Sequence, residues 1–547
     1  MKKIFILILI LVSFQSFSQD RYVIFLKDKA NSPYSLNNPS AFLTAKSIAR
    51  KAAMNIPIDN TDIPVNPSYL QGIANTGAKI LNTSRWFNTV TVQADTQQVI
   101  NIGSLSFVSS YKKVYGSNLH RGQRKNKFEE FYAESKNVVN NLQFVGNYGG
   151  ADNQIKMIKA DQLHQANYTG KSMTIAVIDA GFRNADTHKA FDSLRANNKI
   201  LGTWDFSRNH PYVYDFSNHG TSVLSCIAAN VPDSMIGTAP HASVYLLRSE
   251  EEAEEYIVEE YNWLAAAEFA DSVGVDIINS SLGYTTYDAN SQSHSYIDLD
   301  GNTTLITRAA NIASNKGILV VNSAGNSGSS SWFYIGAPAD GTEVFSIGSV
   351  GFDQTLSSFS SHGPTSAGLV KPDVVAQGGP SFIARANTGS YGYGSGTSFS
   401  GPTIAGFSAC AWELFKQTYP SSKPSQLKSW ICMNSNNASS PNNDYGWGLP
   451  DGSKLLLSLA VNNNKAENIF LYPNPNNGIL HIKLPNQNNN IYKLNLTDLL
   501  GKNLFSNSFN SEELLNGIEL PPNILSGIYI LRIESTDNNY QIRFIRE

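Results

Sequence analysis

Apolar and polar positions follow two different periods through the middle of the chain, from residue 148 to about residue 460. Several runs are almost continuously apolar, which is typical of strands buried on both faces of a sheet. Segments with apolar residues every three or four positions lie between several of these runs, for example at residues 258–274 and 304–317. This alternation predicts an α/β domain with a mostly parallel central sheet, whose function lies at the carboxyl ends of its strands. The predicted strands are residues 173–179, 243–248, 275–283, 317–326 and 343–351.

A smaller unit precedes this domain, at residues 20–115, and its pattern also mixes strands with helices. One helix is expected over residues 41–54 and a second after the capping residue Asn66. A third is expected after Asp95, which would cap it together with Gln98, three residues later. The pattern predicts a small α+β domain in which a sheet carries its helices on one face. The strands expected are residues 22–26, 78–84, 88–94 and 105–110.

Polar sequence separates and follows these units. Residues 116–147 are charged and have no apolar period, so we expect an exposed connection that proteases can nick. After an Asn-rich stretch, residues 466–547 carry short alternating strands with turn residues between them. This last pattern predicts a small all-β sandwich.

Residues 1–18 have the three parts of a secretory signal. Lys2 and Lys3 precede an apolar run from residue 4 to residue 12, and small residues stand at Ser16 and Ser18. The alternative is a membrane anchor, but a spanning helix needs roughly 20 apolar residues, and the run is well short of that. We therefore expect an exported protein.

Composition narrows the possible partners and sites. The 547 residues carry a net charge of −3, which gives no support for nucleic acid or an anionic membrane as a partner. Three cysteines are too few for a disulfide framework, and two of them, Cys226 and Cys410, fall in apolar helical patterns that predict buried thiols. Neither a CxxC nor an HExxH motif occurs, so a zinc site has no support.

Three reactive side chains lie at the ends of predicted elements. Asp179 ends an apolar strand, His219 precedes a glycine at the start of a helical pattern, and Ser398 begins a helix in the stretch GSGTSFSGPTIAG. Each also has an ordinary structural reading, as a turn cap, a structural histidine and part of a Gly/Ser-rich linker. Together they supply the three groups that nucleophilic catalysis by serine needs.

Asp179, His219 and Ser398 can divide the chemistry of acyl transfer between them. A serine hydroxyl is a poor nucleophile until a base takes its proton, and imidazole has a suitable pKa near 6.5. Asp179 would hold His219 in the required tautomer, and the helix start at Ser398 would aim backbone N–H groups at a developing oxyanion. Asn326, at the end of a buried strand, is a candidate second donor, although its glycine neighbours also fit an ordinary turn.

In their order along the chain, Asp, His and then Ser, these segments resemble the subtilisin-like serine proteases, the subtilases of peptidase family S8. The resemblance covers about residues 148–455 and includes INSSLG, SSFSSHGP, KPDVVAQG and GWGLPDG. It implies a subtilisin-like three-layer fold, a triad of Asp179, His219 and Ser398, and Asn326 as the oxyanion side chain. It also implies an S1 specificity pocket with two walls and a floor that leaves room for a large side chain. The residues that it assigns to this pocket are Ser281, Leu282, Gly283, Ser323, Ala324, Gly325 and Gly336.

The chain departs from the usual subtilase pattern next to each reacting group. Ala180 stands where Thr or Ser is usual, and Leu224 with Ser225 replaces a small Ala-Gly pair. Phe399 replaces a methionine after the proposed nucleophile. None of these changes removes a reacting group.

The flanking units carry resemblances of their own. Residues 20–115 resemble subtilase propeptides, which act as folding chaperones and inhibitors and are cleaved off by the protease. The stretches LYPNPNNG and GIYILRI resemble the sorting domain of the type IX secretion system of Bacteroidota-type bacteria. The domains implied are a signal peptide at 1–18, a propeptide at 20–115, a linker with the processing region at 116–147, a catalytic domain at 148–460 and a sorting domain at 466–547.

These resemblances also imply partners. The partners expected are protein or peptide substrates, the chain's own propeptide as an intramolecular inhibitor, and the type IX secretion machinery. We expect a monomer, secreted or held at the cell surface, whose chemistry requires no cofactor.

Two acidic segments each have two readings. In the ordinary reading, residues 249–260 are the solvated face of a helix. In the other reading, their carboxylates make the enzyme prefer substrates with basic residues ahead of the scissile bond. Residues 298–304 offer oxygen atoms that suit Ca²⁺, but no glutamate stands at EF-hand spacing. We therefore favour an ordinary turn over a structural calcium site.

The sequence therefore favours a secreted serine endopeptidase, made as a self-processing zymogen. One alternative is a catalytically idle binding protein on the same fold, against which the complete trio of residues argues. Another is a serine esterase, which lacks support because the residue two positions after Ser398 is Ser400 and breaks the G-x-S-x-G motif.

Overall fold

The computed structural model describes most of the chain. It covers residues 20–116, 148–251, 254–386, 389–460, 470–473, 476, 478–484, 491–498, 502–535 and 539–546. The predicted signal peptide and, apart from residue 116, the predicted linker lie outside the described residues.

The amino-terminal unit is a four-stranded antiparallel sheet with three helices. Its elements are β1 (Asp20–Leu26), α1 (Ala45–Ala53), α2 (Pro67–Ala74), β2 (Lys79–Ser84), β3 (Thr89–Ala94), α3 (Thr96–Gly103) and β4 (Val108–Tyr115). The strands pair in the order β2-β3-β1-β4. As predicted, Asp95 and Gln98 cap α3 by exchanging hydrogen bonds between their side chains and each other's backbone N–H. The helix expected over residues 41–54 begins later, because the Thr44 side chain caps it by accepting from Ser47 N.

The central domain is built on a seven-stranded sheet, in the order β13-β12-β11-β10-β5-β9-β6, with every neighbouring pair parallel. The five predicted strands form its middle, and two further strands, β6 and β13, form its edges. The elements of this domain are α4 (Asp152–Met157), α5 (Ala160–Gln165), β5 (Thr174–Asp179), α6 (Asp192–Ala196), β6 (Ile200–Asp205), α7 (His219–Ala228), β7 (Asn230–Val231), β8 (Met235–Ile236), β9 (Ser243–Arg248), α8 (Val258–Val273), β10 (Ile277–Ser280), α9 (Leu305–Asn315), β11 (Leu319–Ser323), β12 (Phe345–Gly351), β13 (Val374–Gly379), β14 (Ser381–Ala384), β15 (Tyr391–Gly394), α10 (Thr397–Thr418), α11 (Pro424–Met433) and α12 (Gly452–Ala460).

Alternate residues of the sheet enter two separate cores, which gives the domain three layers. Ile175 and Val177 of β5 pack with residues of α10 on one face. Ala176 and Ile178 of the same strand pack with residues of α8 and α9 on the other face. Successive side chains of a strand point to opposite faces, so a strand that is apolar throughout must be covered on both sides. The predicted α/β fold with a mostly parallel sheet is confirmed.

The cysteines are buried and unpaired with one another, as expected for structural thiols. Cys226 and Cys410 are fully buried on α7 and α10, and Cys432 is 5% exposed on α11. Burial raises the pKa of the Cys226 thiol to about 12. The prediction of buried thiols for Cys226 and Cys410 is confirmed.

The amino-terminal unit packs on α8 of the central domain. The Glu268 carboxylate of α8 accepts hydrogen bonds from the backbone N–H groups of Arg85 (2.7 Å) and Trp86 (3.0 Å). Helix α1 also reaches this domain, where Ser47 Oγ donates to the Asp271 carbonyl oxygen over 2.7 Å. The turn after β2 and helix α1 of the small unit therefore both contact α8.

The carboxyl-terminal unit consists of two antiparallel sheets, β16-β17-β20 and β19-β18-β21-β22, around one apolar core. Its elements are β16 (Phe470–Tyr472), β17 (Ile479–Lys483), β18 (Ile491–Thr497), β19 (Asn503–Asn510), α13 (Ser511–Asn516), β20 (Ile518–Glu519), β21 (Gly527–Glu534) and β22 (Asn539–Arg546). This arrangement is the predicted small β-sandwich. Across the ranges that the structure describes, none of the helices has the length and apolar character needed to cross a membrane.

Candidate active site

Asp179 and His219 form a buried pair at the carboxyl edge of the central sheet. Asp179 is the last residue of β5 and His219 is the first residue of α7. His219 Nδ1 lies 2.7 Å from Asp179 Oδ1, and both side chains are fully buried. Because a carboxylate only accepts hydrogen bonds, Nδ1 is the donor, and Nε2 is the nitrogen that can act as a base.

The turn that follows Asp179 brings His219 into reach. Gly220 N donates a 3.0 Å hydrogen bond to the Gly181 carbonyl oxygen, so the start of α7 lies against this turn. A Cβ on Gly220 would lie 2.4 Å from that oxygen, and a Cβ on Gly181, whose φ is +145°, would lie 2.7 Å from Phe216 Cβ. Both positions therefore require glycine.

Ser398 is the second residue of α10, the helix that crosses the middle of the domain. Gly396, with φ of +155°, turns the chain into the helix, and its N–H donates to the Gly378 carbonyl oxygen over 2.8 Å. The Ser398 side chain is 2% exposed, and its Oγ donates a long hydrogen bond of 3.4 Å to the Ser281 carbonyl oxygen. The Gly/Ser-rich stretch is thus a packed turn and helix start, so the linker reading is wrong.

Asn326 is held in one orientation by Thr397, the residue that precedes Ser398. Asn326 Oδ1 accepts from both Thr397 N and Thr397 Oγ1, each over 2.9 Å. Since these bonds occupy the amide oxygen, the amide nitrogen is the group left to donate. Thr397 is fully buried, and sequence reasoning missed its role, although its position beside Ser398 was a signal.

Phe399 has a packing role beside His219. Its ring is fully buried, in one apolar cluster with Cys226 and Ile383. The ring centroids of Phe399 and His219 are 6.2 Å apart, at an interplanar angle of 37°. The bulky side chain after Ser398 therefore fills the space beside the imidazole ring.

The segments assigned to the S1 pocket come together near Ser398. Ser281, Leu282 and Gly283 follow β10, and Ser281 Oγ donates to the Ser398 carbonyl oxygen over 3.0 Å. Ser323 ends β11, and Ala324 and Gly325 follow it. The Asn322 side chain joins the two segments by donating to the Leu282 carbonyl oxygen over 3.0 Å. Gly336 N donates to the Ala324 carbonyl oxygen over 3.3 Å, which brings the predicted floor to the second wall.

Among the described residues of the acidic run, 249–251 and 254–260, four glutamates are buried, so the reading of the run as a solvated helix face is wrong. Glu250, Glu255, Glu259 and Glu260 are each 6% exposed or less. Distant segments supply partners to two of them, since the Tyr284 hydroxyl donates to Glu250 and the Tyr287 hydroxyl donates to Glu260, while Glu259 accepts from the nearby Glu251 N.

The Glu260 carboxylate has three hydrogen-bond donors around it. It accepts hydrogen bonds from the Tyr287 hydroxyl (2.5 Å), His294 Nε2 (2.5 Å) and Ile306 N (3.0 Å). Burial and the neighbouring Glu260 carboxylate raise the pKa of Tyr287 well above its usual value. Burial alone would lower the pKa of His294, but the hydrogen bond to Glu260 raises it.

Residues 298–304 form a local turn in which the carboxylates are already engaged. Asp298 accepts from Ser295 N and Ser295 Oγ, each over 2.7 Å. Asp300 accepts from Asn302 N (2.8 Å) and Thr303 N (2.7 Å). In the part of the chain that the structure describes, no group of three or more His, Cys, Asp or Glu side chains is placed to hold a metal ion.

Comparison with known families divides the chain into three matched parts. The model of the subtilase family matches residues 170–448, just over half of the chain. The peptidase S8 propeptide domain of Bacteroidota matches residues 21–130, and the secretion system C-terminal sorting domain matches residues 470–547. The sorting domain marks the protein for export, to the medium or the cell surface.

Curated relatives are similar to somewhat less than half of the chain. It is 34% identical over 260 residues to Subtilisin E of Bacillus subtilis (strain 168), a match that covers 47% of this chain and 59% of that protein. It is also 34% identical over 260 residues to Subtilisin of Bacillus pumilus, covering 47% of this chain and 82% of that protein. Identity to the thermophilic serine proteinase of Bacillus sp. (strain AK1) is 32% over 237 residues, covering 43% of this chain and 51% of that protein. The chain thus spans less than two thirds of the length of two of these three relatives.

Proposed function

This chain belongs to the subtilase family, and we propose that it is an exported serine endopeptidase, synthesised as a zymogen, that hydrolyses peptide bonds in proteins. The observation that carries the proposal is the 2.7 Å contact between His219 Nδ1 and Asp179 Oδ1, at the same edge of the sheet as the start of α10. In this proposal Ser398 is the nucleophile, His219 the general base and Asp179 the residue that orients His219.

The proposed reaction has two halves. Ser398 Oγ attacks the carbonyl carbon of the substrate while His219 Nε2 takes the hydroxyl proton, and the resulting imidazolium then gives that proton to the leaving amine. The C–N bond breaks and an acyl-enzyme is left on Ser398. A water molecule then attacks the ester carbon while His219 Nε2 takes its proton. The bond between that carbon and Ser398 Oγ breaks, the imidazolium returns the proton to Ser398 Oγ, and the acid product leaves. Asp179 stabilises the imidazolium in both halves and stays ionised.

Two donors are proposed for the oxyanion that forms in each half. The backbone N–H of Ser398 lies in the first turn of α10, where N–H groups have no partner within the helix and the helix dipole is positive. The amide nitrogen of Asn326 is the second donor, and Thr397 holds that amide in its orientation. All groups in the proposed chemistry come from the polypeptide, so it uses no cofactor.

The propeptide is proposed to inhibit the enzyme until the enzyme cleaves it off. At its edge nearest the acidic run, Arg21 forms a two-point ion pair with Glu251, and Arg21 Nη2 lies 3.2 Å from Glu251 Oε2. The ring of Tyr115, at the end of β4, meets the ring of Tyr256 edge-on, with centroids 4.9 Å apart. We propose that the enzyme acts as a monomer, with its own propeptide as inhibitor and the type IX secretion machinery as its partner in export.

A preference for basic residues ahead of the scissile bond stays a proposal. Glu251 is the carboxylate that supports it, because it is only partly buried and binds a guanidinium from the propeptide. A peptide library presented to the mature enzyme measures the preference, and Glu251→Gln should weaken it. Equal cleavage of basic and neutral sequences would remove this part of the proposal.

A fluorophosphonate probe tests the reaction class. We expect the mature enzyme to be labelled and to degrade a denatured protein, and Ser398→Ala to do neither. Labelling that survives Ser398→Ala would refute the assignment of the nucleophile. Labelling of the wild type without proteolysis would favour an esterase, and absence of both would favour a binding protein.

A further inference from the structure

We propose that Arg248 is a positioning residue of the catalytic site, which fixes the turn after Asp179 and, through it, the Asp179–His219 pair. The inference rests on the serine protease function proposed above. Arg248 is the last residue of β9 and lies in register with Asp179 at the end of β5. It is only 1% exposed, so its charge is directed into the domain.

The first contact of the guanidinium is with the residue that follows Asp179. Arg248 Nε donates a 3.0 Å hydrogen bond to the Ala180 carbonyl oxygen. The N–H of Ala180 donates over 2.8 Å to Asp179 Oδ1, the same oxygen that accepts from His219. By holding Ala180, Arg248 fixes the direction of the N–H group that orients the carboxylate.

The second contact anchors the guanidinium itself. Arg248 Nη1 donates to Asp205 Oδ2 over 2.6 Å and to Ser207 Oγ over 2.8 Å. The other oxygen of Asp205 accepts from Ser207 N (2.9 Å) and Arg208 N (3.1 Å), so the carboxylate is held in its own turn. Because a buried charge is stable only when it is paired and hydrogen-bonded, this anchor leaves Arg248 little freedom.

The third contact reaches the segment that leads to His219. Arg248 Cζ lies 3.9 Å from the centroid of the Phe216 ring, which is a stacking distance for a guanidinium. The next residue, Ser217, accepts a 3.2 Å hydrogen bond at Oγ from His219 N. One planar group therefore touches the segment after Asp179 and the segment before His219. A lysine cannot make the same three contacts, because it lacks the planar fork.

These contacts predict a loss of catalysis without a loss of substrate binding. A displacement of about 1 Å in a catalytic group costs about 10²-fold in rate. We expect Arg248→Met to lower kcat and the rate of fluorophosphonate labelling by about 10²-fold, with KM nearly unchanged. We expect Arg248→Lys to lose less than Arg248→Met, because it keeps the charge beside Asp205.

The test uses full-length chains that are matured with a trace of tagged wild-type enzyme, which is then removed. Two readouts report on the pair directly: the rate at which the probe labels Ser398, and the low-field proton resonance of the hydrogen bond between His219 and Asp179. The matched control is Lys371→Met. Lys371 is also a buried cation, 2% exposed and 2.8 Å from Asp373, but it precedes β13 at the amino-terminal edge of the sheet.

The expected result is slow labelling and a shifted resonance in Arg248→Met, with labelling at the wild-type rate in Lys371→Met. Labelling of Arg248→Met at the wild-type rate, or no slower than that of Lys371→Met, would overturn the positioning role. If Arg248→Met does not fold, Arg248→Lys and Asp205→Asn take its place, and wild-type labelling in both is equally decisive. A wild type that is never labelled at Ser398 would instead refute the proposed function, and the positioning role with it.

Discussion

The candidate active site and the interface between the propeptide and the catalytic domain are both buried and both polar. They differ in where the partners of their polar groups lie: within one domain in the active site, and across two units at the interface. In the active site, His219 pairs with Asp179 and Arg248 pairs with Asp205, all within the catalytic domain. At the interface, the Asp271 carboxylate accepts hydrogen bonds from Arg50 and Arg85 and forms an ion pair with Lys51, and all three cations belong to the propeptide.

The charges at the interface alternate in sign across the boundary between the two units. Lys316 of the catalytic domain lies 3.0 Å from Asp62 of the propeptide, and Lys51 of the propeptide lies 3.3 Å from the same Asp62. Burial lowers the pKa of Lys51, in spite of the carboxylates of Asp271 and Asp62 beside it. Removing one member of a buried network leaves the opposite charges unpaired. Because the members come from both units, the network is complete only while the propeptide is bound to the catalytic domain. The two pairs of the candidate active site, by contrast, involve no residue of the propeptide.

Removal of the proposed nucleophile should have the largest effect and should act on the candidate active site alone. Ser398→Ala is expected to lower kcat by about 10⁶-fold, the loss measured for the nucleophile of subtilisin. Because the propeptide interface is untouched, the variant should fold and accumulate with residues 20–115 still attached, which gel mobility and amino-terminal sequencing measure. Normal maturation of Ser398→Ala would mean that another protease does the processing.

Loss of the charge on Asp179 should come next. Asp179→Asn keeps the shape of the side chain but offers His219 an amide, which favours the wrong tautomer, and we expect kcat to fall by about 10⁴-fold. Steady-state kinetics of the matured variant give the loss. A fall of less than tenfold would show that Asp179 does not orient the base.

Loss of the proposed oxyanion donor should lower kcat less than loss of a member of the proposed triad. Asn326→Ala is expected to lower kcat by about 10²- to 10³-fold with little change in KM, since the donor acts on charge that appears only in the transition state. Thr397→Val, which removes one of the two bonds to Asn326 Oδ1, should lose less than Asn326→Ala. A rise in KM without a fall in kcat would assign Asn326 to substrate binding instead.

A change at Asp271 should affect the propeptide interface without affecting the candidate active site. Asp271→Asn is expected to speed release of the cleaved propeptide by roughly 10- to 100-fold, the worth of a hydrogen bond to a charged group. We do not expect more, because each cation keeps a second partner. Arg50 donates to Val275 O, Arg85 donates to Glu268 O, and Lys51 remains in an ion pair with Asp62. The kcat of the released enzyme should not change.

The control for Asp271 is Asp373→Asn. Asp373 is also a buried carboxylate with two lysines, Lys371 at 2.8 Å and Lys428 at 2.9 Å, but both lie in its own domain. The control should lower the unfolding temperature and leave propeptide release unchanged. The appearance of activity after dilution of the processed complex measures release, and equal rates in the two variants would contradict the comparison.

The smallest effect concerns a pair that lies wholly in the catalytic domain. The bond to Glu260 raises the pKa of His294 above its usual value near 6.5. A raised pKa in the folded state means that the pair stabilises fully below the usual pKa and that this stability is lost as pH rises through the raised pKa. Unfolding free energy measured against pH should show this loss with and without the propeptide, and His294→Gln should remove it.

Local patterns predicted much of the fold, because periodicity and caps are properties of short segments. They identified the five middle strands of the sheet, and they placed Asp179, His219 and Ser398 at the ends of elements. The two edge strands were not predicted, because β6 has mixed polarity and β13 carries only a short apolar run. The pairing of Glu260 with Tyr287 and His294 was hidden because those partners are distant in sequence. The roles of Thr397 and Arg248 were not predicted for a related reason, because they depend on contacts with residues far along the chain.

The identity of the nucleophile is tested most directly by mapping the probe onto the chain. The matured wild-type enzyme is labelled with a fluorophosphonate, denatured and digested, and the modified peptide is fragmented to locate the adduct. We expect one adduct, on Ser398, although Ser395 and Ser400 lie in the same peptide segment. An adduct on Ser395, on Ser400 or on any other residue would contradict the assignment of Ser398 as the nucleophile.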